Sequence, residues 1–133
     1  PTEAVEIEGP AGTFTKPKGL PTIAIAGGIG VTPFRSMVMS QSPPTELVCY
    51  NQHAAAVPYL HELQESLGTH LHTYYERPEQ GHLKNVAQLV PHALWYVAGP
   101  PLMVTNIREL LESIGIGATM IRTEEFTGYS QDE

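Results

Sequence analysis

The chain has 133 residues, of which 41% are hydrophobic and 16% charged, a length and composition that suit one domain with its own core. Fourteen acidic residues against seven basic ones give a formal charge of −7, and the basic residues are scattered, which argues against nucleic acid as a partner. No apolar stretch approaches the length of a membrane span. The single cysteine, Cys49, excludes a disulfide framework and favours a cytoplasmic setting.

The first part of the chain predicts a strand and a linker. Apolar residues alternate with glutamates over residues 5–8 before a turn at 9–10, a pattern typical of a half-exposed strand. The polar, proline-containing segment 16–21 is predicted to be a linker. After it, short apolar strands alternate with amphipathic helices. The strands are predicted at 22–27, 46–51, 70–75, 93–99 and 118–124, and the helices at 32–40, 57–68, 83–90 and 100–115.

This alternation predicts an α/β fold. Five apolar strands separated by helices form a doubly wound, open parallel five-stranded sheet with helices on both faces, which is a Rossmann-like architecture. Right-handed crossovers favour the strand order 3-2-1-4-5, counted along the chain. In the longest helix, the residues predicted to face the core are Leu102, Ile107, Leu110, Leu111 and Ile114.

Two glycine-rich turns fall where such a sheet binds ligands. Ligands bind beyond the carboxyl ends of the strands at the point where strand order reverses, here between the first and fourth strands of the sheet. The first of these strands ends in "GGIGVTP" (27–33) and the fourth in "GPP" (99–101). We therefore predict that the two turns converge on one ligand.

The composition of the first turn suits an anionic ligand. Glycines at 27, 28 and 30 allow positive φ and bring backbone N–H groups close to a ligand. Thr32 is predicted to cap the following helix and Pro33 to lie in its first turn, so that the helix N-terminus faces a pyrophosphate. The spacing matches neither G-x-G-x-x-G nor a P-loop, and a tight turn without a ligand is the alternative.

Four motifs taken together resemble one family. "GPAGTF", "GGIGVTPFRSM", "YVAGPPLMV" and "RTEEFTGY" occur in the order seen in the ferredoxin–NADP⁺ reductase superfamily, whose members pair an FAD-binding β-barrel with an NAD(P)-binding domain. The resemblance implies that residues 1–18 are the end of such a barrel and a linker, and that 19–133 form the NAD(P)-binding domain. Because the chain begins with Pro1 rather than Met, we expect it to be a piece of a longer protein.

The resemblance also implies a set of cofactor-binding residues. Those expected to hold the pyrophosphate are Gly27, Gly28, Gly30, Val31, Thr32 and Pro33. Those expected around the nicotinamide are Gly99, Pro100, Pro101 and Met103, where a glycine lets the ring approach a flavin. Asn51 and Gln52 are expected near the adenosine, and Glu125 and Phe126 on the flavin side, although Phe126 also suits ordinary packing.

Two departures from the family pattern bear on chemistry. Many relatives have a cysteine before Gly-Pro-Pro, but this chain has Ala98, so no catalytic residue is assigned. Gln52 stands where relatives have an arginine that grips the adenine ribose or its 2′-phosphate, and because Gln52 is uncharged this departure favours NADH. His53 and Arg77 remain open as alternative phosphate partners.

Other chemistries find little support. His70 and His72 share one face of a strand, but no third or fourth ligand is evident, so we expect solvent-facing histidines and no metal site. The only aspartate is Asp132 in the tail, which excludes a Ser–His–Asp hydrolase. Cys49 is expected to be a buried core residue.

The sequence therefore predicts the NAD(P)H-binding domain of a flavin-dependent electron-transfer reductase. FAD would be held mainly by a barrel outside this chain, and the piece alone would be inactive. The expected partners are that barrel in cis and an electron acceptor, which is a ferredoxin, an iron–sulfur or haem domain, an oxygenase component or free flavin. The alternative is a non-catalytic, nucleotide-binding regulatory module of the same fold.

Overall fold

The computed structural model describes residues 4–6, 15–17, 20–40, 43–51 and 59–126. Among them are two short strands, β1 (Ala4–Glu6) and β2 (Thr15–Pro17), which precede five strands that alternate with helices. These five are β3 (Thr22–Gly27), β4 (Glu46–Tyr50), β5 (Leu71–Tyr74), β6 (Leu94–Gly99) and β7 (Ile121–Glu125). The helices are α1 (Thr32–Met39), α2 (Leu60–Leu67), α3 (Gln80–Leu89) and α4 (Pro101–Ser113), with 3₁₀ turns at Gly28–Val31, Gly68–His70 and Ala118–Met120.

The five longer strands form one parallel sheet in the order β5-β4-β3-β6-β7. Counted along the chain from β3, this order is 3-2-1-4-5, so the prediction of a doubly wound α/β sheet is confirmed. The order reverses between β3 and β6, whose carboxyl ends lie side by side with Ala26 opposite Ala98. β1 and β2 form a separate antiparallel pair.

The sheet is buried because helices cover both of its faces. α1 and α2 pack on one face through Phe34, Met37 and Leu63. α3 and α4 pack on the other face, where their buried residues are Leu83, Val86, Val104, Ile107 and Leu111. Every residue of β3 and β6 is buried, which explains why these strands are continuously apolar rather than alternating.

The prediction of a buried residue is wrong at one position of α4. Leu102 has 85% of its surface exposed, because the buried stripe of the helix runs through Val104, Ile107 and Leu111, and Leu102 lies on another side of the first turn. Leu110 and Ile114 flank the stripe and pack against it. At 13 residues α4 is too short to cross a membrane, and no other helix in the described part of the chain is long and apolar enough to do so.

Several predicted boundaries differ from the structure; α3, for example, begins at Gln80 rather than at residue 83. Two of the differences concern strands. The segment predicted as a linker contains Lys16 and Pro17, which belong to β2 and pair with β1. A strand was predicted from residue 118, but Ala118–Met120 forms a 3₁₀ turn and β7 begins at Ile121. In both places partner strands, rather than local composition, decide where the extended backbone begins.

Candidate functional site

The turn after β3 leads directly into α1. Gly28 has φ +57°, and a Cβ built on it would meet nothing within 4 Å, so this left-handed position favours glycine and borders open space. The residue in the cap position of α1 is Val31, with helical dihedral angles, rather than the predicted Thr32. The prediction of a threonine cap is wrong because the 3₁₀ turn already has helical geometry, which leaves no extended residue before the helix.

Val31 and Pro33 are buried, so their side chains are not available to a ligand, and Pro33 has no backbone N–H to donate. The side chain of Val31 joins the core cluster formed with α1 and α2. Of the residues expected to hold a pyrophosphate, Gly28 and Thr32 are the partly exposed ones whose surroundings the structure describes. That an anion binds at this turn, against backbone N–H groups and the N-terminal end of α1, stays a prediction.

Gly30 has a structural role that the sequence analysis did not identify. A Cβ at this position would collide with the carbonyl oxygen of Ala98, and would lie 2.6 Å from the Ala98 carbonyl carbon and 2.9 Å from the Gly99 nitrogen. These are backbone atoms at the end of β6, which cannot move aside as a flexible side chain can. Gly30 therefore allows the first glycine turn to pack against the second.

The two glycine turns converge. A Cβ built on Gly99 would lie 3.3 Å from the nitrogen and 3.4 Å from the Cα of Gly27, which places the ends of β3 and β6 in contact. The Met103 side chain lies against both glycines, with its Cε 2.5 Å from a Cβ built on Gly27 and 3.2 Å from one built on Gly99. Pro100 occupies the cap position of α4 and Pro101 its first residue, so the second turn also ends in a helix N-terminus at this edge of the sheet.

The end of β7 lies beside the same glycine. Gly99 is paired with Glu125 in the sheet, and the backbone N–H of Phe126 donates to the carbonyl oxygen of Gly99 at 3.0 Å. The Phe126 ring packs against the core cluster on the α1 and α2 face, which supports the packing alternative. Glu125 is exposed. Tyr129 lies outside the described residues.

Aromatic rings line the ends of the two strands on the other side of β3. Tyr50 and Tyr74 are opposite each other at the carboxyl ends of β4 and β5, with ring centroids 5.4 Å apart. His82, in the first turn of α3, stacks on Tyr74 at 3.9 Å, and its Nδ1 lies 2.9 Å from the Tyr50 hydroxyl. The backbone N–H of Asn51 donates to the Tyr74 carbonyl at 3.1 Å. Gln52 and His53 lie outside the described residues.

Acidic residues surround this ring cluster. His82 Nε2 lies 3.2 Å from a carboxylate oxygen of Glu76 and 4.0 Å from one of Glu79. Burial raises the pKa of Tyr50 far above its usual range, and the nearby Tyr74, Glu76 and Glu79 add to the shift, so its hydroxyl stays neutral. Tyr74 and His82 were not predicted from the sequence. The occurrence of a tyrosine at the end of two neighbouring predicted strands was the pattern that could have indicated them.

The histidines that suggested a metal lie elsewhere. Both carboxylate oxygens of the buried Glu46 are bonded, one to His70 Nδ1 at 2.8 Å and the other to His72 Nε2 at 2.7 Å. This cluster is at the amino ends of β4 and β5, at the opposite edge of the sheet from the glycine turns. His70 is exposed, as expected, although it bonds Glu46, whereas the His72 side chain is only 25% exposed, so the expectation of a solvent-facing residue is wrong for His72. No group that could hold a metal ion occurs among the described residues.

Cys49 is a core residue, as predicted. It is 1% exposed within β4, and burial raises the pKa of its thiol to about 12. A thiolate is therefore disfavoured at neutral pH, and Cys49 is unsuited to nucleophilic chemistry.

Comparison with known proteins supports the sequence resemblance. No model of a protein family matches the chain. The chain is 29% identical over 136 residues to the putative toluene-4-sulfonate monooxygenase system reductase subunit TsaB2 of Comamonas testosteroni. The match covers 97% of this chain but 42% of that relative, so the chain spans less than half of the relative's length.

Two solved structures show the same fold. The FAD/NAD-binding domain of nitric oxide dioxygenase from Vibrio cholerae matches with a TM-score of 0.69 and 15% identity, over 85% of this chain and 54% of that one. Ferredoxin–NADP⁺ reductase from Plasmodium falciparum matches with a TM-score of 0.59 and 16% identity, over 80% of this chain and 52% of that one. The chain is thus similar in sequence to a monooxygenase reductase subunit and in fold to an FAD/NAD-binding domain and a ferredoxin–NADP⁺ reductase, which confirms the resemblance predicted from its motifs.

Proposed function

We propose that the chain is the NAD(P)H-binding part of a flavin-dependent electron-transfer reductase. The observation that carries this proposal is the contact between the Gly27 and Gly99 turns at the point where strand order reverses. The likeness to a monooxygenase reductase subunit and to FAD/NAD-binding domains supports it. When bound, the nicotinamide coenzyme supplies a hydride and FAD accepts it.

The residues at the edge of the sheet fit a dinucleotide. The open space at Gly28 and the start of α1 suit the pyrophosphate, because backbone N–H groups and the helix dipole both favour an anion there. The turn at Gly99 would take the nicotinamide, and the ends of β4 and β5 would take the adenosine. Three strand spacings of about 4.8 Å separate β6 from β5, so the crevice is roughly 14 Å long.

The chain should prefer NADH to NADPH. Besides the uncharged Gln52, the segment Glu76–Glu79 supports this preference, because it brings two carboxylates and one guanidinium, that of Arg77, to the end of β5. A 2′-phosphate placed there would be repelled by the net negative charge. The ratio of the dissociation constants for NADPH and NADH at low salt tests the preference, and an equal or lower Kd for NADPH would refute it.

The FAD-binding barrel and the electron acceptor lie outside this chain in the proposal. Residues 1–18 would form the end of the barrel and a linker, and the antiparallel pairing of β1 and β2 is compatible with that position. The relative from Comamonas testosteroni is the reductase subunit of a monooxygenase system, which supports an oxygenase component as the acceptor. Without the barrel, the piece should bind nucleotide but not turn over.

A charge placed at Gly28 tests the coenzyme site. Aspartate and asparagine tolerate the left-handed backbone at this position about equally, so Gly28→Asp and Gly28→Asn differ only in charge. The aspartate should raise the Kd for NADH about tenfold above that of the asparagine variant at low salt, through repulsion of the pyrophosphate. Gly117→Asp adds the same charge before the amino end of β7, and should leave the Kd unchanged. Equal affinities of the two Gly28 variants would place the pyrophosphate elsewhere.

Flavin reduction distinguishes the reductase from the regulatory module. The longer protein that contains this chain should show bleaching of flavin absorbance when titrated with NADH without oxygen. Binding of NADH by a protein that carries no flavin would instead support the non-catalytic module.

A further inference from the structure

The side chain of Met103 fills the gap between the two glycine turns. Its thioether lies in the space that the missing side chains of Gly27 and Gly99 leave, so a Cβ on either glycine would crowd it. Both glycines are themselves buried. The space that the two glycines leave open is therefore filled by the Met103 side chain of the same chain.

The backbone of Met103 is held in place beside this gap by the first turn of α4. Its neighbour Val104 is fully buried, and the Val104 N–H donates to the Pro100 carbonyl at 3.0 Å, which ties the first turn of α4 to the second glycine turn. The Met103 side chain, in contrast, is partly exposed and rotates about three bonds. The side chain can therefore leave the gap while the helix stays in place.

On the proposed function, the nicotinamide ring lies against the Gly99 turn, where the Met103 thioether covers Gly27 and Gly99. The thioether and the ring cannot both cover these two glycines. We propose that Met103 is displaced when the nicotinamide enters, and that this displacement limits how much the nicotinamide adds to coenzyme affinity. Met103 is in this sense a specificity-determining residue, which separates ligands that carry the nicotinamide from ligands that lack it.

A comparison of NADH with ADP-ribose tests this inference. ADP-ribose has the adenosine and the pyrophosphate but no nicotinamide, so its affinity should not depend on Met103. Immobilising or releasing one flexible side chain changes affinity by roughly threefold to tenfold. Met103→Ala should therefore lower the Kd for NADH by about that factor and leave the Kd for ADP-ribose unchanged. Met103→Ile, which is stiff at χ1, should raise the Kd for NADH alone.

Met39 provides the matched control. It is 60% exposed at the end of α1, and Met39→Ala should change neither dissociation constant. In the wild-type chain with ¹³C-labelled methionine methyl groups, the Met103 resonance should shift on addition of NADH but not of ADP-ribose, and the Met39 resonance should shift with neither. This second readout follows the side chain directly and does not depend on the stability of a variant.

The possible failures can be told apart. If neither NADH nor ADP-ribose binds the wild-type chain, the proposed function and this inference are both wrong. If ADP-ribose binds and Met103→Ala leaves the NADH affinity unchanged or weakens it, the inference alone is overturned. An unchanged NADH affinity would mean that Met103 does not contact the nicotinamide ring. A weakened NADH affinity would mean that the ring packs on the Met103 side chain.

Discussion

The close approach of the two glycine turns predicts that Gly30→Ala destabilises the fold itself. The added Cβ would lie 2.6 Å from the Ala98 carbonyl carbon and closer still to its oxygen. Ordinary contact between such atoms begins near 3.5 Å, so the turn would have to retreat by about 1 Å. Val31, next in the chain, is fully buried and resists that movement. Overpacking of this kind costs about 1–3 kcal/mol of the free energy of unfolding.

Urea unfolding measured by tryptophan fluorescence is the assay. Trp95 is the chain's single tryptophan, and it is 1% exposed in β6, beside the strand that leads into the turn. Gly81→Ala is the matched control, since a Cβ there meets nothing within 4 Å. This change within α3 should stabilise the chain by about 0.5–1 kcal/mol.

The outcome separates two explanations for Gly30. If the glycine served only the approach of a ligand, Gly30→Ala would weaken coenzyme binding and leave the unfolding free energy unchanged. An unfolding free energy within about 0.5 kcal/mol of the wild type would therefore refute the packing argument.

Three further predictions concern the rest of the molecule. Glu46→Ala removes a buried carboxylate that bonds two histidines, and should lower the free energy of unfolding by about 1–3 kcal/mol in the same urea assay. Because burial raises the pKa of Cys49 to about 12, an aromatic disulfide reagent should modify this thiol only after unfolding. A hydrogen bond from Arg35 lowers the pKa of Glu62, so the resulting stability is present above the ordinary carboxyl pKa and is lost as pH falls through the lowered one. When the free energy of unfolding is measured as a function of acidic pH, the decrease that comes from protonation of Glu62 should be absent in Glu62→Gln and present in Glu109→Gln.

The order of the sheet and the convergence of the two glycine turns follow from local patterns. The apolar run of β3 was predicted at its observed bounds, because a strand covered on both faces has to be apolar along its whole length. Handedness of the crossovers then restricts the strand order, and that order brings the Gly27 and Gly99 turns together. These steps need only the sequence of one strand, one turn or one helix at a time.

The contacts between the elements do not follow from such patterns. Leu102 matches the apolar composition of α4 but is exposed, because the phase of the buried stripe depends on how the helix lies on the sheet. Glu46 bonds His70, in the 3₁₀ turn before β5, and His72, in β5 itself, which a spacing of two residues along the chain could not reveal. The polar cluster forms only when β4 and β5 pair in their observed register.

Residue types along the chain were thus enough to specify the parallel α/β sheet and the edge at which its ligand should bind, since hydrophobic periodicity and backbone freedom are properties of short segments. Only the tertiary structure decided which atoms contact the two glycine turns. Gly30 meets the backbone of β6, and Met103 fills the gap beside Gly27 and Gly99, because segments about 70 residues apart in the chain come within van der Waals contact only after the sheet has formed.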